Sequence, residues 1–127
     1  MRLLTILCLV LLSSCSQEPP LLLIRDGITY DQNTNEPFTG IFEEFHDNGQ
    51  LARRENYIDG VQNGLWELFY ENGQLTRREN YIDGVQDGLL ETFHRNGQTK
   101  IIGNYIDGNL VLTDMFNEDG SSFFGSN

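Results

Sequence analysis

A chain of 127 residues with 19 acidic side chains against eight basic ones, net −11, is repelled by nucleic-acid phosphates and by anionic lipid alike. Thirteen glycines, with no sustained apolar pattern at helical spacing, exclude a helical bundle, since each glycine costs a helix interior about 1 kcal/mol. The length suffices for one domain and is too short for two ordinary ones.

The chain begins with an address. Met1-Arg2 is a short positive start, and Leu3 to Leu12 is almost wholly apolar. That run is about half of what a helix needs to cross a bilayer, so residues 1–14 read as an export leader. Leu12-Ser13-Ser14-Cys15 resembles the lipobox of bacterial lipoproteins, an aliphatic residue and two small ones before a cysteine. The resemblance implies cleavage before Cys15 and acylation of its thiol; an ordinary signal peptide with a chance cysteine is the alternative. Residues 15–20 then comprise the lipidated cysteine and a proline-bearing tether. Acyl chains contribute about 0.8 kcal/mol per buried methylene, so several of them hold a protein on a membrane essentially permanently. The localisation implied is the bacterial cell envelope. Ser16 stands where an aspartate would retain such a protein at the inner membrane, which points to the outer membrane of a Gram-negative cell.

Cysteine usage follows from this. Cys8 leaves with the leader and Cys15 is consumed by lipid, so no thiol remains for a disulfide, a metal or nucleophilic catalysis. Loss of Arg2 leaves seven basic and 19 acidic residues, a net charge of −12. Such a surface suits solubility or a basic protein partner.

Leu21 to Ile24 is a continuous apolar run and predicts a first, well-buried strand. From Gly40 onward the chain repeats itself. Gly40–Asn63 and Gly64–Asp87 agree at 17 of 24 positions, and a third copy, Gly88–Val111, keeps 12 of 24 against the second. A fourth restarts one residue early, with Phe116 and Asp119-Gly120 in place of Phe93 and Asn96-Gly97. Tandem copies at this period mark an array in which each unit buries its apolar face only against its neighbours.

Two turn signals punctuate each copy: Asn48-Gly49, Asn72-Gly73 and Asn96-Gly97, then Asp59-Gly60, Asp83-Gly84 and Asp107-Gly108. Both dipeptides suit a two-residue type I′ turn, which needs positive φ at both central residues. The runs between them, such as Ile41–Phe45 and Leu65–Tyr70, read as strands of roughly six to eight residues. The prediction is an all-β fold of tandem 24-residue β-hairpin repeats, an elongated antiparallel meander over residues 21–120. It grows by about 10 Å per repeat, with 121–127 as a C-terminal tail. Alternation from Leu65 leaves neither face cleanly polar, so either both faces are partly covered or a bulge at Glu67 switches the register.

Candidate sites are weighed against this repetition. His46 and His94 occupy one position in copies one and three where copy two has Tyr70, so that slot accepts a half-buried ring with a polar tip. Zinc wants three or four nitrogen or sulfur ligands together, which two histidines in separate modules do not supply. Asp59-Gly60-Val61-Gln62-Asn63-Gly64 lacks the alternate carboxylates of a calcium loop. Acidic pairs recur in every module alike, whereas a catalytic site needs one asymmetric constellation. No catalytic residue, cofactor or metal is therefore assigned. Arg53-Arg54-Glu55 and Arg77-Arg78-Glu79 give way to Ile101-Ile102-Gly103. They form either a cross-strand ladder with carboxylates, the preferred reading, or a basic stripe that holds an anion. Trp66 stands where the other copies have Phe42 and Leu90, a core pattern that also suits a hot spot for a partner. Trp66, Tyr70, Arg53, Arg54, Arg77 and Arg78 are thus the candidate interaction surface, with Cys15 as the lipid anchor.

Gly64-Leu65-Trp66-Glu67-Leu68-Phe69-Tyr70-Glu71-Asn72-Gly73-Gln74-Leu75, followed by Asn80-Tyr81-Ile82-Asp83-Gly84, resembles the bacterial variant of the MORN repeat found in YwqK-like antitoxin components. Arg25–Tyr30 with Pro37-Phe38-Thr39-Gly40 resembles the way such proteins begin. The likeness covers about residues 21 to 120. It implies an array of β-hairpins acting as a binding scaffold, with protein–protein contact and in some members association with membrane lipid, and no catalytic residue. The function expected is a membrane-anchored, non-enzymatic scaffold for protein–protein interaction in the envelope. The alternative is an antitoxin or immunity-type protein neutralising a basic toxin.

Overall fold

The computed structural model describes residues 19–124. The expected leader, Cys15 and the tether through residue 18 lie outside the described residues, as do 125–127 of the expected tail. Every regular element among the described residues is a strand. β1 (Leu22–Arg25), β2 (Ile28–Asp31) and β3 (Glu36–Pro37) make a small antiparallel sheet. The main sheet comprises β4 (Gly40–Phe45), β5 (Leu51–Ile58), β6 (Val61–Phe69), β7 (Leu75–Ile82), β8 (Val85–Gln86), β9 (Gly88–Phe93), β10 (Thr99–Ile106) and β11 (Asn109–Met115). Its order is β11-β10-β9-β7-β6-β5-β4, with β8 paired to the far end of β7. This is the expected all-β meander. Each module is one hairpin, β4 with β5, β6 with β7, and β9 with β10.

The Asp-Gly turns have the expected form. Asp59 and Gly60 lie at φ 49° and 79°, and Asp83-Gly84 and Asp107-Gly108 repeat this, so both central residues are left-handed as type I′ demands. The Asn-Gly turns correct the expectation. Only the glycine is left-handed there, Gly49 at φ 82°, Gly73 at 83° and Gly97 at 86°. Gly49 N–H donates to the His46 carbonyl (2.9 Å) and His46 N–H to the Gln50 carbonyl (2.8 Å), which closes a three-residue loop, Asp47-Asn48-Gly49. The asparagine serves as a side-chain acceptor instead, its Oδ1 taking the Gln50 N–H at 2.9 Å.

The register shifts also fall elsewhere than expected. Opposite the β4, β6 and β9 hairpin ends, the extra residues are Ala52, Thr76 and Lys100 in the returning strands, not Glu67. A second irregularity sets Asn63-Gly64-Leu65 of β6 against Asn56 alone. A third leaves Thr113 of β11 as an extra residue opposite Ile102 and Gly103; between these bulges the alternation is regular and the two faces are distinct.

The first strand is not well buried. β1 pairs only with β2, and Leu21 and Ile24 are 60 and 71 % exposed. The small sheet is tied down over the first Asp-Gly turn. Thr29 N–H donates to the Gly60 carbonyl and Gly60 N–H to the Phe38 carbonyl, both at 2.8 Å. A Cβ on Gly60 would sit 2.6 Å from the Thr29 carbonyl oxygen, so only glycine lets the two backbones approach this closely. The apolar core is thin. Leu90, 3 % exposed, is the only buried apolar side chain among the described residues.

Candidate functional site

One face of the main sheet carries a cross-strand row in which acid and base alternate: Glu43, Arg54, Glu67, Arg78, Glu91. Arg54 Nε donates to Glu43 at 2.8 Å and its Nη1 lies 3.4 Å from Glu67. Arg78 Nε donates to Glu91 at 2.9 Å. The hydrogen bond to Glu43 raises the Arg54 guanidinium above its ordinary value despite the cost of burial. A second row on the same face alternates aliphatic side chains with asparagines: Ile41, Asn56, Leu65, Asn80, Leu89, Asn104. Ile41, Leu65 and Leu89 remain 58, 47 and 51 % exposed. One face therefore pairs an ionic ladder, its charges mutually satisfied, with a line of open aliphatic knobs.

The opposite face buries its charges. Because successive residues of a strand alternate, the two arginines of each Arg-Arg pair part company, and Arg53 and Arg77 point here. Glu55 and Glu79, 5 and 3 % exposed, are the buried carboxylates. Glu55 takes the Trp66 Nε1–H at 2.8 Å, the Tyr57 hydroxyl, and Arg53 Nη1 at 3.2 Å. Glu79 takes Arg77 Nη2 at 2.7 Å, the Tyr81 hydroxyl at 3.1 Å and Gln86 Nε2 at 3.3 Å. Each carboxylate sits between an arginine two residues before it and a tyrosine two residues after it on one strand. Burial, with the neighbouring glutamate, pushes the Tyr57 and Tyr81 phenols up to about 12. Such a phenol donates a hydrogen bond at neutral pH and is no general base.

The ring slot joins one module to the next. His46 Nε2–H donates to the Phe69 carbonyl (2.9 Å), the Tyr70 hydroxyl to the Phe93 carbonyl (3.0 Å), and His94 Nε2–H to the Phe116 carbonyl (2.9 Å). Beside each ring an asparagine makes a parallel bond, Asn48 to the Glu71 carbonyl at 2.7 Å, Asn72 to Arg95 at 3.3 Å and Asn96 to Glu118 at 2.7 Å. Both histidines thus reach forward to a neighbouring backbone, and a tyrosine does the same.

Of the sequence-derived surface residues, Trp66 and Tyr70 have their polar atoms engaged within the chain, and the four arginines each pair with glutamate. The sequence reading placed Glu55 and Glu79 beside the arginines but not in the interior, where they lie. Their signal was present in Arg-Arg-Glu-Asn-Tyr, where Arg, Glu and Tyr at alternate positions must share one face. A cleft of about 530 Å³ opens between the small sheet and this face, lined by Leu22, Ile24, Thr29, Phe42, Arg53 and Tyr57. Arg53 there is already paired with Glu44 at 3.1 Å as well as Glu55. Among the described residues no three His, Cys, Asp or Glu side chains cluster closely enough to hold a metal ion.

The family described as MORN repeat variant matches this chain three times, at residues 38–59, 62–83 and 86–107, each match containing the Asn-Gly turn of one hairpin and ending at the aspartate that opens the next turn. No curated protein matches the chain, and no solved structure does.

Proposed function

The chain belongs to the MORN repeat variant family, and on that premise we propose that it is a non-enzymatic scaffold, anchored to a bacterial envelope membrane through Cys15, that presents one sheet face to a protein partner. Repeats of this kind serve as interaction modules, and many matched positions have a structural task in turn, ladder or inter-module bond. One observation carries the choice of face. The aliphatic row Ile41, Leu65 and Leu89 stays exposed beside a ladder whose charges are already paired, so a partner gains apolar contact without stripping water from unpaired ions. The buried-carboxylate face offers no such row. Its two buried carboxylates are taken up by arginine, tyrosine and tryptophan donors of the same chain.

Crosslinking in the native envelope tests the face. Leu65→Glu should lose the crosslinked partner while the β-sheet circular dichroism persists; an unchanged crosslink would remove this face from the reading. Labelling cells with radioactive palmitate tests the anchor separately. Label should vanish in Cys15→Ala, and label that stays would refute it.

A further inference from the structure

Within the array, each strand that enters a turn is covered along its outer edge by the strand that returns. The fourth module starts this pattern, and its return is described only as far as Phe124. Its turn closes as the others do, with Gly120 N–H donating to the Asn117 carbonyl (3.0 Å) and Asn117 N–H to the Ser121 carbonyl (2.9 Å). Ser122 bridges to Phe116, and Phe123 N–H reaches the Met115 carbonyl at 2.8 Å. In the third module the equivalent return runs on for a full strand, β10. Here, among the described residues, nothing lies along the outer edge of β11 from Asn109 to Asp114, and these six residues are exposed.

We propose that a second copy of this chain fills that place, its β11 pairing antiparallel with the first across a two-fold axis at Val111. Three observations carry the choice of occupant. A strand that continues the meander at this edge must run antiparallel to β11, and a two-fold axis supplies that direction. Residues Gly108 to Thr113 carry no charge, in a chain of net −11, so this strip is where two copies meet without bringing carboxylates together. The opposite edge is guarded: β4 carries Glu43 and Glu44, and Pro19 and Pro20 lie beside Ile41 and Phe45. One edge discourages pairing and the other is bare.

The register follows from the turn. A two-residue hairpin loop puts Ile106 and Asn109 in a hydrogen-bonded pair, so Asn109 and Val111 bond inward to β10 while Leu110 and Leu112 direct their N–H and C=O outward. Centring on Val111 matches Leu110 with Leu112 of the second copy, and the reverse, which gives four backbone hydrogen bonds. The two Val111 Cα atoms then stand about 4.5 Å apart, as in any pair without hydrogen bonds between its members.

That spacing falls within the roughly 4.4–6.8 Å that a disulfide spans. The full chain with Cys8 and Cys15 changed to serine, purified in a non-ionic detergent, is given Val111→Cys and a mild oxidant. Covalent dimer should form at least tenfold more than from Val85→Cys, a site as exposed at 55 against 51 % but away from the axis. Equal yields would overturn the proposal. So would assemblies larger than two copies of the chain without the Val111 change, measured by sedimentation in the same detergent, which would mean open stacking of β11 on β4. A charge swap gives a second reading: co-expressed, differently tagged Val111→Lys and Val111→Glu chains should co-purify at least tenfold better than either with itself. Pairs that stay equal, mixed or matched, would also end it.

Discussion

The first two modules hold a buried glutamate between an arginine and a tyrosine, and the third holds Gly103 between Ile101 and Tyr105. Over Gly103 the side chains of Leu110 and Leu112 close in; a Cβ there would meet Leu110 Cδ1 at 3.0 Å and Leu112 Cδ2 at 3.4 Å. The site has changed from ionic to apolar while the turns, the ring slot and the forward asparagine bond have not. The difference separates two layers of design. Glycine turns and inter-module bonds specify the repeat, and the carboxylate network is an insertion that the repeat tolerates when each donor is satisfied.

The largest break in this comparison should come from Glu79→Ala. Removing the carboxylate strands Arg77, Tyr81 and Gln86, and a loss of about 3 kcal/mol in urea unfolding is expected. The pair Arg77→Leu with Glu79→Leu, which makes the site apolar as in module three, should lose less than the single change. A double variant weaker than the single would contradict the two-layer account. Next, equivalent turns should differ by neighbourhood. Gly60→Ala, strained at φ 79° and pressed on Thr29, should cost about 2 kcal/mol, and Gly108→Ala, at φ 74° with only Val85 nearby at 3.9 Å, about 1 kcal/mol. Equal melting temperatures would show that the small sheet does not dock on the first turn.

Alkali should then act on the ionic modules. Tyr57 and Tyr81 release their protons near pH 12 when folded and near pH 10 when unfolded, so the folded chain holds more protons in that window. Stability is therefore fully present below pH 10 and is lost as pH rises towards 12. The double change Tyr57→Phe with Tyr81→Phe should flatten that part of the melting curve. The smallest effect belongs to the ring slot. His46→Tyr and His94→Tyr keep a donor for the same carbonyl, as Tyr70 already does, and should shift stability by less than about 0.5 kcal/mol.

The meander was legible because 24-residue self-similarity, Asp-Gly pairs and alternating runs all state the same thing, and local and global signals agree. Other features were not. Asn-Gly suits a two-residue and a three-residue loop equally, and what separates them is the extra residue at Ala52, Thr76 or Lys100, visible only once a partner strand sets the register. Leu21–Ile24 reads as interior by composition, yet its strand belongs to a three-stranded sheet with little to cover it. The Arg-Arg pairs read in the linear chain as one cross-strand ladder with carboxylates, with a single basic stripe as the alternative. A pleated strand divides them between its faces, so half form the open ladder and half hold the buried glutamates.

The forward bond from each ring to the backbone of the next module has an evolutionary corollary. Its acceptor is a main-chain oxygen, present whatever residue stands there, so a freshly duplicated copy is received without any matching change in its neighbour. Such a gene can lengthen by recombination between its own copies, and selection is left to adjust only the terminal rim.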